Sequence, residues 1–79
     1  MSEKTLTLTQ MKRGQTGRVR KMVGGEHFLK LLSTMGIRKD TSLKKISAMA
    51  FRGPVVVSIN NRHVALGHGM ASRIYVEIA

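Results

Sequence analysis

FRGPVVVSINNRHVALGHGMASRIYVEI, from Phe51 to Ile78, decides the fold of this chain. Pro54 can open a strand but cannot sit inside one, so the strand starts at Val55. Val55, Val57 and Ile59 then point one way, and Val56 and Ser58 the other. Asn60-Asn61 tolerates positive φ and predicts a tight hairpin turn. Val64 and Leu66 face the core on the returning strand. Gly67 to Ser72 predicts a short bend or a single helical turn, and Ile74, Val76 and Ile78 predict a closing strand. These elements make half of a small β-barrel, and none of them carries a catalytic set.

Working back toward the N-terminus, Thr5 to Thr9 alternates Thr and Leu, which predicts a strand with Leu6 and Leu8 inward. Lys12 to Gln15 predicts a turn. Thr16 to Val23 predicts a second strand with Val19 and Val23 on the core face and Arg18, Arg20 and Met22 on the other. Gly24-Gly25 is expected to end it by supplying unusual dihedrals. Glu26 to Met35 predicts the one helix, because Phe28, Leu31, Leu32 and Met35 recur at helical spacing. Gly36 is expected to close it in the left-handed conformation, with Ile37 packed beneath. Arg38 to Asp40 predicts a turn. Thr41 to Met49 predicts a strand whose opposed parity at Leu43 and Ile46 implies a bulge near Lys44-Lys45. The sum is an all-β fold, a single domain over 1–79: a small barrel of five to six short antiparallel strands with one helix at about 26–35.

At 79 residues the core is small, and there is little room for a deep substrate pocket. With no cysteine, thiolate chemistry and Cys-based zinc sites are excluded. The first ten residues are polar and lack an apolar run, and no stretch reaches the roughly 18 apolar residues of a membrane span. The expectation is a cytoplasmic protein. Fourteen Lys and Arg against four acids give a net charge of +10. Such a field attracts nucleic acid, anionic lipid or an acidic protein face, or serves only to solubilise.

Glu3, Glu26, Asp40 and Glu77 fall on separate elements and form no paired acid–base motif. The sequence holds no nucleophile elbow or phosphate loop, so no enzyme activity is expected. His27, His63 and His68 are the weak metal-ligand candidates. Their spacing lacks the tight pairing of a metal site, so they are read as surface residues, with no metal and no cofactor expected. Small barrels do bind nucleic acid, and the charge suits it. However, the chain holds only Phe28, Phe51 and Tyr75 as aromatics and lacks a base-stacking platform.

Met35-Gly36-Ile37, Gly53-Pro54-Val55, Val64-Ala65-Leu66, Met70-Ala71 and Ile74-Tyr75-Val76 fall in a distinctive order. Leu6, Met11 and Gly14 precede them at spacings of five and three, and Gly24-Gly25 comes before the helix. In this order and spacing the chain resembles the FeoA family across nearly its whole length. The resemblance implies an SH3-like barrel. It also implies a cytosolic accessory role in bacterial ferrous iron uptake, with a FeoB-like GTP-hydrolysing membrane permease as partner and the protein peripheral to the inner membrane through it. A related barrel in DtxR-type repressors keeps a metal-binding regulatory domain open as an alternative, beside a nucleic-acid-binding barrel. The chain departs from the family pattern at Asp40, where Gly is frequent, at Leu31, where Arg is frequent, and at Met70, where an acid is frequent.

What the residues themselves suggest is a protein-binding module without a small-molecule substrate. Apolar side chains on outward faces, ringed by Arg and Lys, are what a partner surface looks like. The alternation of faces selects Arg52 and Tyr75 as partner contacts, followed by Arg38, Met22 and Met70. Oligomeric state stays open, and homo-oligomers are allowed.

Overall fold

In the computed structural model, which describes residues 4–48 and 53–79, six strands and two helices follow one another along the chain. They are β1 (Thr5–Thr7), β2 (Thr16–Met22), α1 (Glu26–Thr34), β3 (Ser42–Ala48), β4 (Val55–Ile59), β5 (Arg62–Leu66), α2 (His68–Ala71) and β6 (Ile74–Ile78). The strands form one sheet in the order β1-β6-β2-β3-β4-β5. Every pairing is antiparallel. Inward residues from both halves meet in a single apolar core that includes Leu8, Val19, Leu43, Val57, Leu66, Ile74 and Val76.

The Phe51–Ile78 reading holds wherever the structure describes it. Along β4 the residues alternate buried and half-buried. Asn60 and Asn61 both take positive φ, 51° and 65°, which is the backbone a two-residue hairpin needs. The stretch expected as a bend or helical turn is α2, a short second helix. Phe51 and Arg52 lie outside the described residues, as do Met49 and Ala50.

Two bulges explain where strict alternation fails. On β2, Val19 pairs with Val76 but Lys21 pairs with Tyr75, so Arg20 is the extra residue. Beyond it the faces exchange. Val23, expected in the core, is 45% exposed. Met22, expected outside, pairs with Ile74 and packs against the core. On β3, Lys45 pairs with Val57 and Ser47 with Val56, which makes Ile46 the extra residue beside the expected position. Lys45, which precedes the extra residue, keeps the parity of Leu43, points inward and is only 1% exposed.

Helix α1 rests on the sheet by a narrower seam than its sequence suggests. Leu32 is fully buried, and Phe28 and Met35 pack against the core. Leu31, expected inward, is 42% exposed, because the step of about 100° per residue carries it off the seam. The helix ends as expected. Gly36 adopts φ 87°, its N–H donates to Ser33 O at 3.0 Å, and Ile37 N–H donates to Leu32 O at 2.9 Å with its side chain buried. This doubly bonded ending satisfies two carbonyls that a helix end otherwise leaves open. The Gly24-Gly25 pair works differently from the expectation, since neither residue takes positive φ. Gly24 is needed for space: a Cβ there would collide with the Phe28 ring.

Candidate partner-binding surface

The outer face of the sheet is organised around Arg20. The β2 bulge turns this side chain so that Nε donates to Glu77 Oε1 at 2.5 Å and Nη1 to Asp40 Oδ1 at 2.7 Å. Glu77 comes from β6. Asp40 comes from the turn before β3, where it holds a left-handed φ of 73°. The hydrogen bond and charge of Glu77, followed by Asp40, raise the Arg20 pKa above its ordinary value. Two acids that the sequence leaves on separate elements thus converge on one guanidinium. A long-range pairing of this kind has no sequence-local signal.

Beside this node lies an open groove of about 710 Å³ across β6, β2, β3 and β4, lined by polar side chains together with Leu43 and Ile78. Arg18, Arg20 and Lys44 are its cations and Glu77 its side-chain carboxylate. Thr16, Ser42, Ser58, Asn60 and Asn61 supply hydroxyls and amides around them. Strand register explains the composition. Arg18 stands opposite Ser42 on one side and Glu77 on the other, while Lys44 stands opposite Thr16 and Ser58.

The anticipated contact residues do not converge on that groove. Tyr75 is half-buried on β6, opposite Thr7 and Lys21. Arg38 is exposed, and its Nε donates to Ser33 Oγ at 3.1 Å across the helix ending. Met22 and Met70, expected on outward faces, are partly buried and pack against the core. Arg52 lies outside the described residues. His27, His63 and His68 are exposed on α1, β5 and α2, and among the described residues no three potential ligands gather into a metal site. Phe28 packs on the core with the Arg73 guanidinium 5.4 Å from its ring centre, so its face is already occupied. Among the described residues, no helix is long and apolar enough to cross a membrane.

Lys45 is a buried cation that pattern reading does not single out. Its Nζ donates to Leu8 O and Met11 O, each at 2.6 Å, and more distantly to Thr9 O at 3.4 Å. Burial pushes its pKa below the ordinary 10.5. The clue was the alternation from Leu43, which puts Lys45 on the core face before the extra residue Ile46 is reached.

Fold and surface together define a small, all-β SH3-like barrel whose outer face is basic. The FeoA domain pattern matches residues 6–78, and the chain belongs to the FeoA family. It is 35% identical over 68 residues to a Methanocaldococcus jannaschii protein whose name assigns it to Fe(2+) transport as protein A, covering 86% of this chain and 80% of that protein. The crystal structure of an iron uptake regulatory protein, FeoA, superposes with a TM-score of 0.90 at 25% identity, covering 96% of this chain and all of that one. A manganese-dependent transcriptional repressor superposes with a TM-score of 0.89 at 25% identity. There the match covers all of this chain but only 44% of the repressor.

Proposed function

We propose that this protein is a non-enzymatic, cytosolic accessory of ferrous iron uptake that docks on the cytoplasmic part of a FeoB-like GTP-dependent permease and tunes its transport. The observation that carries this reading is the match to a free-standing FeoA barrel along that protein's whole length. The named Fe(2+) transport relative supports the iron connection. The surface agrees with a docking role. The acids Asp40 and Glu77 are drawn onto Arg20, while Arg18, Lys44 and Arg38 remain exposed. Near the anionic inner leaflet each such charge contributes about 1 kcal/mol to local attraction.

The test is capture of a GTP-binding permease from detergent-solubilised membrane by the immobilised protein, followed by GTPase measurements with and without it. Arg38→Glu is expected to weaken capture without shifting the melting curve, Arg52→Glu is proposed to do the same, and Tyr75→Phe is expected to weaken capture while keeping the half-buried ring in place. Recovery of RNA that washes off at modest salt, in place of a permease, overturns the reading, since backbone-only binding is strongly salt-dependent.

A further inference from the structure

The groove on the outer face holds charges that the molecule does not neutralise. Arg18 and Lys44 sit diagonally across the β2–β3 pairing, from the registers Arg18↔Ser42 and Thr16↔Lys44. Diagonal neighbours on one face are about 7–8 Å apart, close enough for like charges to repel. Glu77 faces Arg18 across β6, yet its carboxylate is turned to Arg20. Among the described residues neither Arg18 nor Lys44 has an ion-pair partner. The side chains lining the groove include three cations and one carboxylate, and of the cations Arg20 is already paired while Arg18 and Lys44 are not.

The lining also sets the form of the anion. At about 710 Å³ the groove greatly exceeds a single carboxylate or phosphate. Its floor is made of strands paired on both sides, so most of their backbone N–H groups are committed to the ladder. Phosphates are commonly held by freed backbone N–H groups at nests and helix starts, and no helix start lines this groove. No aromatic side chain lines the groove to stack a nucleobase. What remains is a pair of separated cations on diagonal positions, about 7–8 Å apart, with Ser42, Ser58 and Asn60 as hydroxyl and amide partners. The Arg18 guanidinium can take a carboxylate through two parallel bonds and Lys44 a second one as a point charge. We infer that this groove is the docking site for an acidic, extended segment of a protein partner, with Arg18 and Lys44 each receiving a side-chain carboxylate. The inference rests on the accessory reading for the identity of that partner, but not for the chemistry of the groove.

The experiment measures fluorescence anisotropy of a labelled peptide of alternating glutamate and glycine with the isolated protein. The double variant Arg18→Glu with Lys44→Glu should weaken binding about tenfold or more, and Lys12→Glu with Lys30→Glu, of equal charge change but outside the groove, by less than about twofold. Arg18→Gln with Lys44→Gln repeats the test should charge reversal lower the melting temperature. Equal weakening by both double variants would sink the inference, because it would show charge without a site. Tighter binding of labelled oligo(dT), or of phosphatidylglycerol vesicles, through the same two residues would sink it as well. If the protein captures a permease that the groove variants do not release, and the peptide does not bind, the groove inference falls and the accessory reading stands. Peptide binding through the groove without permease capture leaves the opposite result.

Discussion

The ammonium of Lys45 donates to the carbonyl oxygen of Met11 at 2.6 Å, joining the middle of β3 to the loop that follows β1. The same nitrogen holds Leu8 O at 2.6 Å. The backbone around Lys45 is pinned as well, with Gly14 N–H donating to Lys45 O at 2.8 Å and Lys45 N–H to Gln15 O at 2.9 Å. A single inward lysine thus organises the crossing from β1 to β2. Lys45→Met keeps the volume but leaves two carbonyls without that donor. The expected loss is about 2 kcal/mol, read as a lower urea midpoint, since an orphaned buried acceptor costs about 1–3 kcal/mol. Retained wild-type stability would show that water replaces the ammonium freely.

The same lysine predicts a pH dependence. Burial lowers its pKa from 10.5, so between the lowered value and 10.5 the unfolded chain binds more protons than the folded one. Stability contributed by this group therefore rises with pH through that window. The stability difference between wild type and Lys45→Met should widen as pH climbs from neutral toward 10.5. Denaturant melts across that range check it, and a difference that narrows would mean the carbonyl cage, not burial, governs the titration.

Gly17 faces β6 so closely that an added Cβ would lie 2.5 Å from Val76 Cγ1 and 2.6 Å from Glu77 O. The obstacle is partly backbone, which cannot swing aside. Gly17→Ala is expected to destabilise by about 1–3 kcal/mol, the usual range for overpacking. Thermal melting measures it directly. The variant should also disturb Glu77 and with it the bridge to Arg20, visible as shifted amide resonances on β2 and β6.

How much of this was legible depended on whether a residue's neighbours were local. The β4–β5 hairpin was readable because Asn60-Asn61 and the Val55–Ile59 alternation act within a few residues. The ending of α1 was readable for the same reason, from Gly36 and Ile37. Val23 and Met22 were not, because each lies beyond a single extra residue that inverts the faces, and Lys45 was not, because its inward ammonium is accommodated only by the distant carbonyls of Leu8 and Met11. A bulge is a property of the pair of strands, and β2 meets β6 more than fifty residues later. Glu77 reaches Arg20 through that same pairing, whereas Arg18 and Lys44 meet in one groove through the β2–β3 pairing.

Helix α1 offers a direct check of the narrow seam. Leu31 and Leu32 are adjacent in sequence, yet Leu32 is 0% exposed and Leu31 42%. Leu32→Ala should cost about 2–5 kcal/mol, while Leu31→Ala should stay within about 0.5 kcal/mol. Chemical denaturation of the two variants distinguishes this seating from the broader stripe the sequence suggests.

Asp40 tests the turn before β3. It holds a left-handed φ of 73°, where a side chain with a branched Cβ is strained and glycine is not. Its ion pair with Arg20 is exposed, so losing it removes little. Asp40→Gly should therefore leave stability within about 0.5 kcal/mol, the strain relieved offsetting the lost pair and the freer unfolded chain. Asp40→Val loses the same pair and adds strain, for an expected loss of about 1–2 kcal/mol. Equal losses in the two variants would assign the effect to the Asp40–Arg20 bridge and not to the backbone. Melting both at low and high salt separates these causes, because screening weakens the bridge and leaves φ strain untouched.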